Sequence, residues 1–242
     1  MRFKLISEIL QVMSPGANNE ILKSIIVLAS GPASAGLISV LILPILTRIY
    51  SPADFELVAV LTAIITLVSV VGSLRLNTAI PLVITLDKTL RLVRLSLFLI
   101  LLISCVSALT LYFFRHEISA QFPQLDLNSY LWIVPIGIIL ASSYDVLQFW
   151  HTKSKNFSLI ASTRFYQAIF GAFTQIGLGL YGVVPGGMIF GTILKSGIGL
   201  GRLFSNVGKF KVLLVKRYKL LELYNTFIEF RRFSMVSVPE AI

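Results

Sequence analysis

Charge is what this chain has least of. Asp, Glu, Lys and Arg make up only 13% of its 242 residues, where a soluble chain carries about 25% because its surface faces water. From Phe165 to Leu194 there are thirty residues without one formal charge. Cysteine is nearly absent as well. Cys105 stands alone inside an apolar run, so there is no disulfide framework and no thiolate metal site, and it reads as a small packing residue. The two histidines, His116 and His151, fall at opposite ends of apolar runs. A metal centre or a Ser-His-Asp arrangement needs partners that converge on one pocket, so no metal, no cofactor and no catalytic constellation are expected.

Apolar residues fill the space that charge leaves: 56% of the chain is hydrophobic and the mean hydropathy is +0.86. A hydrocarbon core about 30 Å thick needs roughly 20 apolar residues in an α-helix. Phe165 to Leu194 is too long for one comfortable span, and Gly182-Val-Val-Pro-Gly-Gly187 breaks it into two joined by a tight loop. The predicted spans are Ser24–Thr47, Leu57–Leu74, Leu95–Phe114, Leu127–Ser143 (with an extension through Asp145 to Trp150), Ser158–Tyr181 and Val184–Phe204. Ser51-Pro-Ala-Asp54 ahead of the second reads as a helix start. The expected fold class is all-α, a polytopic membrane helix bundle of six transmembrane helices.

Basic residues alternate between the connecting segments. One set holds Arg2, Lys4 and Lys23, then Arg75, Lys88, Arg91 and Arg94, then Lys153, Lys155 and Arg164, then the run from Arg202 to Arg232. The other set holds Arg48, then Arg115, then none between the last two spans. Such a bias places the basic set, and with it the amino terminus, on the cytoplasmic side. It also accounts for the net charge of +10 as topology, so no nucleic-acid partner is expected. The first apolar run is long and ends in Pro44-Ile-Leu-Thr-Arg48 rather than at small residues, which reads as a retained span and not a cleaved signal.

The expected organisation is a cytoplasmic segment over 1–20, a six-helix lobe over 21–206, a basic amphipathic segment on the membrane surface over 207–232, and the start of a seventh span over 233–242. That last segment is expected to be the beginning of a span cut short.

Gly177-Leu-Gly179-Leu-Tyr-Gly182 matches a dinucleotide-binding pattern, but inside an apolar span it lacks the strand–turn–helix context that gives the pattern meaning. Helix packing is the better reading. Gly182 and Gly186, Gly187 and Gly191, and Gly197 and Gly201 stand four apart, a spacing that lets membrane helices approach closely. The informative polar residues are the charges within or against spans. Arg75, Arg164 and Lys195 are candidates for a basic cavity facing the cytoplasm, with Asp145 as a charge partner or proton-coupling group. A charge at mid-bilayer costs about 2.5–3.5 kcal/mol on insertion scales and usually faces the bundle interior. For Arg75 and Arg164 the competing reading is snorkelling to the headgroups; Lys195, in the middle of its span, has further to reach.

Ser30 to Phe55, with Pro44-Ile-Leu-Thr-Arg-Ile-Tyr-Ser-Pro-Ala-Asp-Phe55 as its core, resembles the opening of bacterial polysaccharide and lipopolysaccharide biosynthesis flippases. Leu74-Arg-Leu-Asn-Thr-Ala-Ile-Pro81, Phe149-Trp-His-Thr-Lys-Ser-Lys-Asn-Phe157, Ser162-Thr-Arg164 and Gln175-Ile-Gly-Leu-Gly-Leu180 extend the similarity over nearly the whole chain. The resemblance implies one lobe of the two-lobe multidrug/oligosaccharidyl-lipid/polysaccharide exporter fold. It further implies movement of lipid-linked sugar repeat units across the bacterial inner membrane, with the pyrophosphate of a polyprenyl carrier held by basic groups such as Arg75 and Arg164. Asn77 stands where the family pattern has an acidic residue, and Lys195 where it has a small one. Implied partners are the bilayer, a lipid-linked oligosaccharide, other polysaccharide-assembly proteins and, for a half-length product, a second copy of the chain. Two alternatives stay open: a drug/cation antiporter of the same superfamily, and a membrane enzyme of polysaccharide assembly using His116, Glu117 and Asp126 in the outer loops.

Overall fold

A computed structural model of the chain describes residues 15–72, 76–206 and 228. Residues 15–20 of the segment predicted over 1–20 open the first helix, while its first fourteen residues, Arg75 and the predicted segments over 207–232 (but for Ile228) and 233–242 lie outside the described residues. Within them every regular element is helical: α1 (Pro15–Ile49), α2 (Pro52–Gly72), a 3₁₀ turn (Leu76–Leu82), α3 (Leu86–Phe113), α4 (Arg115–Ala120), α5 (Ile133–Lys153), α6 (Phe157–Leu180) and α7 (Gly186–Ser205). The protein is an all-α, polytopic helical membrane protein.

Six of these helices are long, and they stand where the six spans were predicted. Four are long and apolar enough to cross a membrane: Ser24–Ile49 of α1, Pro52–Val70 of α2, α3 and α5. Helices α6 and α7 have spanning length, at 24 and 20 residues. They also carry Arg164, Gln167 and Gln175, and Lys195 and Arg202, which dilute their apolar character. The reason is packing: α6 and α7 bury their facing sides against each other, and α1 and α5 cover them further, so their polar residues have protein to face.

Local chemistry sets the element ends. At the start of α2, Asp54 Oδ2 accepts from both the backbone N–H (2.7 Å) and the hydroxyl (2.8 Å) of Ser51. With Pro52 at the first helical position, Ser51 and Asp54 close the reciprocal cap expected of this sequence. Helix α3 begins at Leu86, nine residues before the apolar run suggested, because Asp87 and Arg91 form an ion pair of 3.0 Å one turn apart and carry the helix through its charged start. Helix α5 begins at Ile133 and not at Leu127. Pro135 lacks the N–H that would bond back to residue 131, and Leu127–Trp132 instead forms tight turns, with Tyr130 N–H donating to Leu127 O and Ile133 N–H to Tyr130 O. Between α6 and α7, Gly182 has φ +80°, a left-handed conformation that suits glycine.

Helix α5 is the pillar of the bundle, packed against α7, α3, α2 and the 3₁₀ turn. Of its apolar window 56% is buried, against 6% for α1, which lies almost solely on α6. One apolar cluster gathers around the end of α5 nearest α6 and includes Ile80, Leu92, Val93, Val146, Leu147 and Leu203. A second gathers around its beginning and includes Leu57, Leu61, Leu127, Val134, Ile138 and Ile189. Cys105, expected to pack, is exposed on the outer side of α3.

Helix α1 is held to α6 by close approach. A Cβ at Gly31 would sit 2.6 Å from the Ala161 Cα. At the other end of α1 the Tyr50 hydroxyl donates to Gln175 O at 2.7 Å; burial first, then the Asp54 carboxylate, hold that phenol above its usual pKa and keep it a donor. Gly31→Ala is therefore expected to destabilise the detergent-solubilised protein by about 1–3 kcal/mol in thermal unfolding. Gly36→Ala, on the same helix with no described atom within 4 Å of the added carbon, should be neutral. Equal effects would show that α1 does not depend on this contact.

Candidate functional site

Helix α5 carries polar side chains at Ser142, Ser143, Tyr144, Asp145 and Gln148, past the second apolar cluster and alongside the first. Ala141, Asp145 and Gln148 share one face at helical spacing. They form one wall of a cavity of about 360 Å³, closed by Thr66 and Ser69 of α2 and by Asn77 and Thr78 of the 3₁₀ turn. Asn77 thus lines the same cavity as Asp145.

Arg164 approaches this wall from α6. Its Nη2 donates to Gln148 Oε1 at 2.7 Å, and its guanidinium lies 5.2 Å from the centre of the Tyr144 ring, a cation–π arrangement. Its charge reaches Asp145 and, on α7, Lys195. Three of the sequence candidates, Arg164, Lys195 and Asp145, therefore come together from three helices. Among the described residues Asp145 and Lys195 have no hydrogen-bond or ion-pair partner. Asp145 is eight residues from the end of α5, about 12 Å along its axis, and Lys195 is the tenth of the 20 residues of α7. The cluster is thus sunk well inside the bundle. The aliphatic stem of Lys195 crosses α6 at Gly171, where an added Cβ would lie 3.5 Å from Lys195 Cβ.

A profile of the polysaccharide biosynthesis protein family matches residues 45–230. The chain belongs to that family. Comparison with curated proteins and with solved structures returned no match. In this polysaccharide biosynthesis protein the matched region holds the whole cluster and its cavity.

The glycines singled out by spacing divide. Gly187 faces Tyr50, Leu178 and the backbone of Gly179, and Gly191 faces Gly171 O and Gln175, so both sit in the α6–α7 crossing. Gly197 makes ordinary contact with Leu140, and Gly186 meets only Val183 and Phe190 nearby. No described atom lies within 4 Å of a Cβ at Gly182 or Gly201; Gly182 serves the turn and Gly201 faces outward. Gly31, Gly171, Gly179 and Gly199 belong to the crossings too, and their spacing did not single them out.

Tyr144, Gln148 and Gln167 were also missed. On α5 the available signal was Tyr144, Asp145 and Gln148, polar residues three and four apart within an apolar helix. His151, only 1% exposed, bonds through Nε2 to Leu203 O at 3.1 Å. Lys153 Nζ donates to Val83 O and Thr89 Oγ1. Together they tie the end of α5 to α7, α3 and the residue just after the 3₁₀ turn, so both residues are structural. His116, Glu117 and Asp126 are exposed, and Asp126 accepts from the Ser129 hydroxyl at 2.9 Å. Among the described residues no three metal-ligating side chains stand together.

A half-buried ammonium without a described partner burdens the fold. Lys195→Met keeps the stem that crosses Gly171 and removes the charge, and is expected to raise the unfolding free energy by about 1 kcal/mol or more in detergent. A lower melting temperature for this variant would mean that the ammonium itself holds α6 and α7 together.

Proposed function

We propose that this protein translocates polyprenyl-pyrophosphate-linked sugar repeat units across the bacterial inner membrane, as one six-helix lobe of a two-lobe flippase. The observation that carries this reading is the gathering of Arg164, Lys195 and Asp145 deep in the bundle, next to a cavity lined in part by polar side chains. Two cations against one carboxylate leave the cluster net positive, which suits the pyrophosphate of a lipid carrier. The planar guanidinium of Arg164 offers paired donors to phosphate oxygens, and Lys195 a point charge behind it. Helix α1 and the outer face of α6 present Leu37, Val40, Leu41 and Phe173, surfaces along which a polyprenyl tail stays in lipid while its headgroup enters.

In this reading the amino terminus is cytoplasmic, the α5–α6 turn faces the cytoplasm and the α6–α7 turn faces outward. Arg75, on a family motif position, joins Arg164 as a headgroup ligand, and Asp145 answers the cation cluster as counter-charge or proton carrier. Rocking against a second lobe alternates access to the site, as in transporters built from repeated halves. The activity is transport and not bond-making chemistry, and other polysaccharide-assembly proteins supply and consume the substrate.

A strain lacking the gene, complemented with Arg164→Ala/Lys195→Ala, is expected to lose surface polysaccharide and to accumulate lipid-linked repeat units in the inner leaflet. Its drug susceptibility should not change. Substitution of His116, Glu117 and Asp126 together should leave surface polysaccharide near its original amount. Normal surface polysaccharide in the Arg164/Lys195 variant, confirmed as present in the membrane, would remove this reading. Loss of drug resistance alone would favour an antiporter, and loss of polymer in the triple variant an enzyme.

A further inference from the structure

At the opposite end of α5 from the cation cluster, a second cavity of about 440 Å³ opens between the end of α3 and the start of α5. Its floor includes Leu111 and Leu131, and its rim carries Tyr112, Arg115, Asn128 and Trp132. Arg115 lies just past the last residue of α3, a helix long and apolar enough to span, so its guanidinium stands at the level where hydrocarbon gives way to headgroups. Trp132 is 58% exposed and Tyr112 66% exposed, with apolar ring and polar edge both available at that level.

The rim has unused hydrogen-bonding capacity. Arg115 Nε donates to His116 Nε2 at 3.3 Å, and its guanidinium lies 5.6 Å from the Tyr112 ring centre. Its two Nη groups and the Asn128 amide have no partner among the described residues. The nearby carboxylates do not neutralise Arg115: Glu117 forms no ion pair with it, and Asp126 is bonded to Ser129.

We infer that this cavity is a binding site for an anionic phospholipid, with the phosphate held by Arg115 and Asn128 and an acyl chain laid over Leu111 and Leu131 between Tyr112 and Trp132. A phosphate suits the guanidinium because it accepts paired hydrogen bonds and carries the opposite charge. The surrounding field does not favour anions. At this end of the bundle the described charged residues are Arg48 and Arg115 against Asp54, Glu56, Glu117 and Asp126, two positive and four negative, a net of −2. A preference for anionic lipid here must come from the local geometry of the cavity and not from diffuse attraction. This inference rests on the membrane embedding of the chain and not on the flippase reading.

The two tryptophans make the test direct. Trp132 stands at the cavity, while Trp150 is 7% exposed at the other end of α5. The full chain carrying Trp150→Phe, in bilayers of bromine-labelled phosphatidylglycerol or bromine-labelled phosphatidylcholine, reports lipid contact at Trp132 by quenching. Quenching is expected at about five-fold lower mole fraction of phosphatidylglycerol than of phosphatidylcholine. Arg115→Ala should abolish that preference, while Arg48→Ala, at the same end of the bundle, should leave it intact. Equal quenching by the two lipids, or equal loss of preference in the two arginine variants, overturns the proposal.

Discussion

A bilayer core offers no water to a polar group, so an N–H, C=O, hydroxyl or charge in a span is costly unless the protein answers it. The architecture follows from that constraint. Hydroxyls on the helices turn back onto their own backbone: Ser39 donates to Ala35 O, Thr66 to Thr62 O, Ser96 to Leu92 O and Thr174 to Phe170 O. Ser104 of α3 reaches across to Pro135 O of α5 at 2.9 Å. Groups that cannot be answered locally are carried on the helices with most neighbours. The charges of the cluster sit on α5, α6 and α7, while the exposed faces of α1 and α3 are given over to leucine, isoleucine, valine and phenylalanine.

Close approach between helices is what lets one helix answer another. Gly171, Gly187 and Gly191 bring α6 and α7 near enough for the stem of Lys195 to cross the seam and for Gln175 Nε2 to donate to Thr192 at 3.3 Å. Gly31 does the same between α1 and α6. Without hydrophobic pressure between helices in lipid, such packing and hydrogen bonding carry the association. The position of Lys195 relative to Arg164 therefore depends on residues with no side chain at all. A shift of α7 along α6 would move one cation past the other, so the glycine seam sets the geometry of the cluster.

Much of this was legible in the chain before folding. Six long helices follow from the lengths of the apolar runs, and Ser51-Pro-Ala-Asp54 announced its cap. Helix ends were less legible, because apolarity reports contact with lipid whereas a helix continues as long as its backbone is bonded. Leu86 to Arg94 is helical through an ion pair, and Leu127 to Trp132 is apolar yet turns. Arg164, Lys195 and Asp145 were visible as misfits in apolar surroundings. Gln148, which accepts from Arg164, looked like any polar residue near a span end, and His151 and Lys153 gave no sign of the carbonyls they bond, since those carbonyls come from residues 203 and 83.

The sequence by itself determined the membrane class, the number and order of long helices, the family, and which charges had to be hidden. These depend on transfer of side chains from water and on spacing along one helix, both local properties. Only the tertiary structure decided which hidden charges meet, which glycines lie in a crossing, and where cavities open. Those outcomes depend on the relative depth and rotation of α5, α6 and α7. Packing summed over the whole bundle sets them, and no single stretch of sequence contains that sum.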